Sequence, residues 1–420
     1  MAPRTQADQD MPTGTSMKRI LFVDDEPAVL EGLRNLLRKQ RRQWDMAFAL
    51  GGKAALEELE KEPFDVVVSD MRMPGMDGAE LLRQVKDRYP GVARVVLSGH
   101  ADQDLVGRAL PVAQQYLSKP CDGEVMRGVI ERVCELQALV AGTAVRDIVG
   151  RLDKLPSIPK TYWLLTRAIE DPETCTEDIA RIVQTDPAMC AKVLQLVNSA
   201  YFGMSRPLSS ILHAIGYLGL DLLKGLALTL NVFAATEGRA MAGVSFEKIQ
   251  QGSILTARLA KQFVLADPKE ADVAFTGGMV HDIGIIILAL TMPEKFGEVM
   301  KMTAESKRPV HEIEREHIGA THAEVGGYLL GLWGLPLPIV EAAVYHHSLP
   351  QTPRTRMDAP LAVHVADALA DQALAAAAGE PYEERIDMAA LEAAGVRANL
   401  PQWRELAGRE VRAMAPRAEL

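Results

Sequence analysis

The chain has 420 residues, of which 48% are hydrophobic and 24% charged, and its formal net charge is −10. This length corresponds to two or three domains of a globular protein. The acidic balance, without a Lys- or Arg-rich run, argues against a nucleic-acid-binding domain. A polar amino terminus and the lack of a long uninterrupted apolar run predict a cytoplasmic protein that does not enter the membrane.

Four short apolar stretches in the first 120 residues each end in polar side chains. RILFVDDEP ends in Asp24 and Asp25, VVVSD ends in Asp70, ARVVLSGH reaches Ser98, and QQYLSKP reaches Lys119. Such runs are typical of buried parallel strands, whose carboxyl ends converge on one crevice of an open α/β sheet. Carboxylates gathered there favour a divalent cation such as Mg²⁺, and a metal-neutralised Asp can attack a phosphoryl group. The ammonium group of Lys119 and the hydroxyl group of Ser98 would contact the phosphoryl oxygens.

Residues 17–139 resemble the receiver domain of two-component response regulators, through these residues together with Tyr116 and the dipeptide Lys119-Pro120. The resemblance implies a flavodoxin-like α/β fold with a parallel five-stranded sheet in the order 2-1-3-4-5. It implies that a sensor histidine kinase transfers a phosphoryl group to Asp70, and that Ser98, Tyr116 and Lys119 respond to it. The Mg²⁺ ligands that it implies are Asp24, Asp25, Asp70 and the backbone carbonyl group of Arg72.

The rest of the chain divides by composition and periodicity. Residues 1–16 are polar and predict a disordered tail, and residues 140–150 predict a helical linker. After residue 150 helical periodicity replaces the strand pattern and predicts an all-α domain. In TDPAMCAKVLQLVNSAYFG, Asp186 can cap a helix that begins at Pro187. Residues 351–420 predict a carboxy-terminal helical extension of this domain.

Histidine and aspartate side chains recur on separate predicted helices of the all-α region. They are His281, Asp282, His322, His346, His347 and Asp367. Imidazole and carboxylate groups on different helices can share a metal ion in the core of a bundle. The alternative is that the histidines are buried residues that hydrogen-bond helix ends, with Asp367 as a cap or a partner.

Residues 151–350 resemble the HDOD domain, a relative of the HD-type metal phosphohydrolases, through LDKLPSIPK, ILHAIGYLGL, THAEVGGYLLGLWGLP and YHHSLP. The six histidine and aspartate residues match positions of the metal-binding series in those enzymes. Two further ligand positions fall at Gly252 and Lys248, and the lysine that would follow the HD pair is Ile285. The resemblance therefore implies a non-catalytic signalling domain with a vestigial metal site, in which Fe, Mn or Zn is an open but not the expected occupant.

The sequence thus predicts a response regulator of a phosphorelay, whose HDOD domain acts on a downstream signalling protein by direct contact. The alternative is an HD-type metal-dependent phosphohydrolase, such as a cyclic-dinucleotide phosphodiesterase, controlled by the receiver. A receiver that only drains phosphoryl groups from a kinase is disfavoured, because it needs no large helical domain. A homodimer stays open, and no nucleic acid or membrane is expected as a partner.

Overall fold

The computed structural model describes residues 17–99, 112–119, 121–139, 143–152, 164–165, 168, 174–198, 207–219, 245–350 and 354–414. The tail predicted for residues 1–16 lies outside these ranges.

The amino-terminal part is a parallel five-stranded sheet in the order β2-β1-β3-β4-β5, which confirms the predicted fold. β3 reads VVVSD and is buried at every position, as expected for a central parallel strand covered on both faces. The strands and helices of this part are β1 (Lys18–Asp24), α1 (Pro27–Leu36), β2 (Trp44–Leu50), α2 (Gly52–Lys61), β3 (Val66–Asp70), α3 (Gly78–Arg88), β4 (Ala93–Gly99), β5 (Gln115–Lys119) and α4 (Gly123–Leu139).

The remaining described elements are helices, as the change of periodicity predicts. They are α5 (Thr143–Gly150), α6 (Thr176–Val183), α7 (Pro187–Val197), α8 (Ile211–Leu218), α9 (Phe246–Phe263), α10 (Pro268–Val280), α11 (Ile283–Thr291), α12 (Pro293–Ser306), α13 (Val310–His317), α14 (His322–Leu332), α15 (Leu337–Tyr345), α16 (Ala359–Ala378), α17 (Met388–Ala393) and α18 (Leu400–Met414).

Local sequence signals explain where several of these helices begin. Asp186 caps α7 by accepting hydrogen bonds from the backbone N–H groups of Ala188 and Met189, as predicted. Thr321 and Glu324 form a reciprocal capping box at the start of α14. These caps fix the first turns of the helices, and the first turn of α14 carries His322.

The helical part is in direct contact with the sheet domain through α4 and α14. Leu136 of α4 lies so close to Gly331 of α14 that a Cβ atom on Gly331 would stand 2.5 Å from the Leu136 Cδ2 atom. At the start of β5, the side chain of Gln115 donates a hydrogen bond to the carbonyl oxygen of Leu332. On the same helix, Tyr328 is buried beside Gln137 of the receiver helix α4. One connected cluster of buried apolar side chains therefore spans both parts of the chain.

The linker helix α5 packs against the end of the sheet opposite to the predicted phosphorylation site. Arg94, at the start of β4, donates to the carbonyl oxygen of Val112 (2.7 Å) and to that of Gly150 (3.2 Å). Gly150 approaches the receiver backbone so closely that a Cβ atom on it would fall 1.7 Å from the carbonyl oxygen of Pro90. The linker is thus held against the sheet domain by backbone contacts and a buried guanidinium group.

Two helical stretches are long and apolar enough to span a membrane, so the expectation that no apolar stretch reaches this length was wrong. Pro268–Thr291 has a mean hydropathy of 1.9 in its most apolar window, and Ala359–Ala378 has 1.2. The windows are 72% and 50% buried inside the fold, respectively, as is usual for core helices of globular proteins. The first stretch is also interrupted by His281 and Asp282, where α10 ends and α11 begins.

The contact between Gly150 and Pro90 predicts the effect of a single methyl group. Gly150→Ala should lower the free energy of unfolding by about 1–3 kcal/mol, because the added Cβ atom overlaps the Pro90 carbonyl group and must push the linker away. Gly128→Ala on α4 is the matched control, since a Cβ atom there meets no atom within 4 Å. It should raise stability by about 0.5–1 kcal/mol in urea unfolding. Equal stability of the two variants would contradict the described packing.

Candidate functional site

The carboxyl ends of three strands bring together the residues of the predicted phosphoacceptor site. β1 ends at Asp24, β3 at Asp70 and β5 at Lys119. Lys119 Nζ lies 2.9 Å from Asp24 Oδ2 and forms a second ion pair with Asp70. Asp24 is 1% exposed and Asp70 is 7% exposed, so both carboxylates depend on this cation.

Backbone N–H groups complete the shell around the two carboxylates. Asp70 Oδ2 accepts a hydrogen bond from the N–H group of Arg72 (2.7 Å), and Asp24 Oδ1 accepts one from that of Glu26 (3.0 Å). Burial lowers the pKa of Lys119, but its hydrogen bonds to Asp24 and Asp70 outweigh burial and raise the pKa overall. Lys119 is therefore charged at neutral pH.

The other predicted receiver residues are placed by the backbone. Asp25 directly follows Asp24 and is partly exposed at the same edge of the sheet. Ser98 pairs with Ser118, and Tyr116 pairs with Val96, in the register of β4 and β5. The side chains of Ser98 and Tyr116, and all of Pro120, lie outside the described part of the structure.

In the helical part, the structure brings together all of the predicted histidine and aspartate residues. Most of them lie where helices begin or end, so their side chains point into one region between the helices. His281 and Asp282 lie at the junction of α10 and α11, His322 begins α14, His346 and His347 follow α15, and Asp367 lies on α16. Gly284 makes this convergence compact, because a Cβ atom on it would stand 1.9 Å from the carbonyl oxygen of His322.

The ring nitrogen and carboxylate atoms of this cluster are in contact with one another. His322 Nε2 lies 2.8 Å from His347 Nε2 and 3.3 Å from His346 Nε2. Asp282 Oδ1 is 3.4 Å from His322 Nε2 and 3.5 Å from His346 Nε2. Two groups of three residues could each hold a metal ion, namely His322, His346 and His347, and His281, Asp282 and His346.

Asp282 and Asp367 flank His281 on the other side of the cluster. His281 Nε2 lies 3.1 Å from Asp367 Oδ1 and 3.3 Å from Asp282 Oδ2. Burial lowers the pKa of His281, but the two carboxylates outweigh it and hold that pKa well above its ordinary value. Burial and the neighbouring histidines hold the pKa of His347 well below its ordinary value. The cluster therefore contains imidazoles of opposite protonation tendency, as expected where several groups compete for few protons or a metal ion.

Sequence reasoning missed three residues that support the cluster. Glu314 of α13 is 0% exposed and lies 2.7 Å from His322 Nδ1 through its Oε2 atom. His311 stacks on His347 with ring centroids 4.3 Å apart, and burial lowers the pKa of His311 to about 4. His364 donates from Nδ1 to the carbonyl oxygen of His346 (2.8 Å) and accepts from a backbone N–H group at Nε2. A signal for Glu314 existed, because Val310, Ile313, Glu314 and His317 have the spacing of one helix face.

A cavity of about 500 Å³ opens above the cluster. His346, His347 and Asp367 lie at its wall, and Lys307, Arg308 and Arg385 are among the charged residues that line it. Gly252 and Lys248, the two unmatched ligand positions, lie on α9 and do not line this cavity. Lys248 is exposed, so it does not bring a positive charge to the cluster.

Comparison with known proteins identifies both parts of the chain. A family model described as the response regulator receiver domain matches residues 20–131, and one described as the HDOD domain matches residues 155–349. An uncharacterised protein of Treponema pallidum is 29% identical over 236 residues, which are 55% of this chain and 45% of that protein. The hydrogenase transcriptional regulatory protein HoxA of Cupriavidus necator is 31% identical over 122 residues, 29% of this chain and 25% of that protein.

Among solved structures, the MmoQ response regulator of Methylococcus capsulatus is 25% identical, with a TM-score of 0.48. The match covers 60% of this chain and 98% of that one. The chain spans less than half the length of the two curated relatives described above.

The ion pairs of Lys119 predict how the phosphoacceptor site responds to loss of charge. Lys119→Met should lower the free energy of unfolding by about 1–3 kcal/mol, because it leaves two buried carboxylates without their cation and Lys119 is itself partly exposed. Asp70→Asn in the same background should restore part of this loss by removing one of the two like charges. Urea unfolding of both variants measures the effect. No recovery in the double variant would show that the carboxylates do not repel each other.

Proposed function

Because this chain is a two-component response regulator in which a receiver domain precedes an HDOD domain, we propose that phosphorylation of Asp70 sets how the receiver docks on the HDOD domain. A sensor histidine kinase donates the phosphoryl group, and a downstream signalling protein binds the HDOD domain in only one of the two states. Residues 17–139 form the receiver in this proposal, 140–150 the linker, and 151–350 with the extension 351–420 the output unit. The protein acts in the cytoplasm.

The site at the strand ends supports the assignment of the acceptor. Asp24, Asp25 and Asp70 carry three negative charges and Lys119 one positive charge, so one Mg²⁺ ion would neutralise the remaining negative charge. Carboxylates and a backbone carbonyl group, here that of Arg72, are the oxygen ligands that Mg²⁺ prefers. The bound ion would neutralise the Asp70 carboxylate and the incoming phosphoryl oxygens. Lys119, held between Asp24 and Asp70, would then be released from Asp70 to bind the phosphoryl group.

The contacts between the domains supply a route for the signal. Asp70 and Lys119 end strands β3 and β5. At the opposite end of β5, Gln115 donates to the carbonyl oxygen of Leu332 of α14. Gln137 of the receiver helix α4 lies beside Tyr328 of α14 and donates to the carbonyl oxygen of Asp65, just before β3, at 3.1 Å. A shift of either strand upon phosphorylation would therefore change the contacts of α14. Ser98 and Tyr116 are the residues expected to move first.

A phosphoryl group shifts the docking equilibrium only if it interacts differently with the two arrangements. Lys119 provides this difference, because a phosphoryl group bonded to an Asp70 oxygen would present new acceptor oxygens to the ammonium group that now contacts the carboxylate. The output is a contact surface rather than a reaction, since Gly252 and Ile285 stand where HD-type hydrolases carry polar residues. The partner is a protein, because the chain has a net charge of −10 and no basic run for a nucleic acid. Alternatively, phosphorylation would change how two copies of the chain pair as a homodimer.

A second candidate function is hydrolysis of a phosphate ester, and the convergence of His281, Asp282, His322 and His346 beside a cavity favours it. Turnover separates the two functions. We expect the purified protein with added Mn²⁺ to hydrolyse bis-p-nitrophenyl phosphate no faster than its His281→Ala variant. Turnover that disappears in this variant would replace the non-catalytic proposal with the enzymatic one.

The central prediction concerns Asp70. Acetyl phosphate with Mg²⁺ should change the small-angle scattering profile of the wild-type chain, and Asp70→Asn should abolish the change because the amide group cannot accept the phosphoryl group. Asp45→Asn is the matched control, since Asp45 is an exposed receiver carboxylate paired with Arg19 outside the site. An unchanged response in Asp70→Asn would remove the acceptor assignment.

A further inference from the structure

A cleft of about 310 Å³ lies between the two domains, beside the contact of Leu136 with Gly331. One wall is the receiver helix α4 between Gly128 and Leu136, and the other is formed by the end of α14 and the start of α15. Because the two walls belong to different domains, the cleft keeps its shape only while the domains stay docked. Binding sites are frequent at such domain boundaries.

The wall that belongs to the helical domain is apolar. Leu335, Leu337 and Val340 line it. Leu335 and Val340 are buried, whereas Leu337, the first residue of α15, is 61% exposed. This is the largest exposed fraction of any large apolar side chain in the described part of the chain. An apolar side chain placed against Leu337 would remove both from water, which is the main driving force of association.

The wall that belongs to the receiver is acidic. Glu131 and Glu135 both line the cleft and lie four residues apart on α4, so their carboxylates are neighbours that repel each other. Neither carboxylate forms an ion pair with another described residue. Arg132 lines the same wall, but its Nη1 atom extends toward Gly334 and stands 3.2 Å from where a Cβ atom on that residue would lie. A cation brought by a ligand would therefore be favoured beside Glu131 and Glu135.

We infer that this cleft binds a segment of the downstream signalling protein in which a large apolar side chain is flanked by lysine or arginine. The apolar side chain lies against Leu337 and Val340, and the cation pairs with Glu131 and Glu135. The cleft is at the small end of the range for ligand pockets, so it takes a few side chains of a short segment. The two carboxylates disfavour an anionic metabolite as the occupant.

This inference rests on the proposed function, because it names the surface at which the partner senses the docking of the domains. The cleft continues the domain interface, since Leu136 and Gly331 line it and also pack against each other. Gln115, at the start of the strand that ends in Lys119, donates to the carbonyl oxygen of Leu332, which is next to Gly331. A segment in the cleft contacts both domains, so its affinity depends on their arrangement, and its binding in turn favours one arrangement.

The test uses the full-length chain and a fluorescein-labelled peptide of about 14 leucine and lysine residues, with a peptide of leucine and glutamate as the control probe. Fluorescence anisotropy should show that the wild type binds the lysine peptide more tightly than the glutamate peptide. Leu337→Ser should weaken binding of the lysine peptide about 10-fold or more, because it removes the apolar contact. Glu131→Gln combined with Glu135→Gln should weaken it about 3- to 10-fold at low salt.

Two matched controls change the same kinds of side chain elsewhere. Leu265→Ser removes a leucine that is 53% exposed between α9 and α10. Glu294→Gln combined with Glu298→Gln neutralises two exposed carboxylates four residues apart on α12. Both controls should bind the lysine peptide as the wild type does, and circular dichroism establishes that each variant is folded.

Equal affinity of Leu337→Ser and Leu265→Ser for the lysine peptide would overturn the inference, and so would equal affinity of the two charge-neutralised variants. A wild-type chain that forms a dimer, loses it in Leu337→Ser and does not bind the peptide would instead assign the surface to a second copy of the chain, which also overturns the inference.

A final comparison separates this inference from the phosphorylation proposal. Beryllofluoride with Mg²⁺ should change the affinity of the wild type for the lysine peptide about five-fold or more, and should leave that of Asp70→Asn unchanged. Binding that is lost in the cleft variants but does not respond to beryllofluoride would support the cleft and contradict the proposal that phosphorylation sets the docking.

Discussion

Buried charged side chains are held against partners at both candidate sites of the described structure, and this pairing organises each site. In the receiver, Asp24 and Asp70 are buried at strand ends and share the ammonium group of Lys119. In the helical domain, the wholly buried Glu314 is held against His322. Because an unpaired buried ion costs several kcal/mol, these pairs restrict the arrangements that the surrounding strands and helices can adopt. A modification that changes one partner therefore has consequences for the elements that carry the other.

Contacts between the two domains can transmit such a change from the receiver to the helical domain. α14 begins at His322, in the histidine cluster, and ends at Leu332, which accepts a hydrogen bond from Gln115 of the receiver. Tyr328, between these ends, is buried near receiver groups, and burial raises its pKa although Gln137 beside it acts in the opposite direction. One helix thus contacts the strand that carries Lys119 and the cluster that faces the cavity. In this account, phosphorylation of the receiver therefore acts on a helix that also carries a residue of the cluster.

Much of this architecture could be predicted from the sequence, and the remainder depends on long-range packing. The strand ends at Asp24, Asp70 and Lys119 followed from apolar runs that stop at polar residues, and the five-stranded sheet with its order followed from the receiver resemblance. The convergence of the histidines followed from their positions in a family series. The burial of Glu314 was not predicted, although Glu314 shares a helix face with Val310 and Ile313, because HEIEREH has the composition of an exposed helix and tertiary packing decides which of its carboxylates is buried. The apolar length of Pro268–Thr291 was also missed, because His281 and Asp282 interrupt it.

The most direct test of the account is hydrogen–deuterium exchange of the wild-type chain with and without beryllofluoride and Mg²⁺, which mimic the phosphorylated Asp70. The account predicts that exchange changes at the backbone amides of α14 as well as in β4 and β5 of the receiver, because the contacts of Gln115 and Tyr328 transmit the shift. A change confined to the receiver, with α14 unaltered, would contradict the claim that the phosphorylation state sets the docking of the two domains.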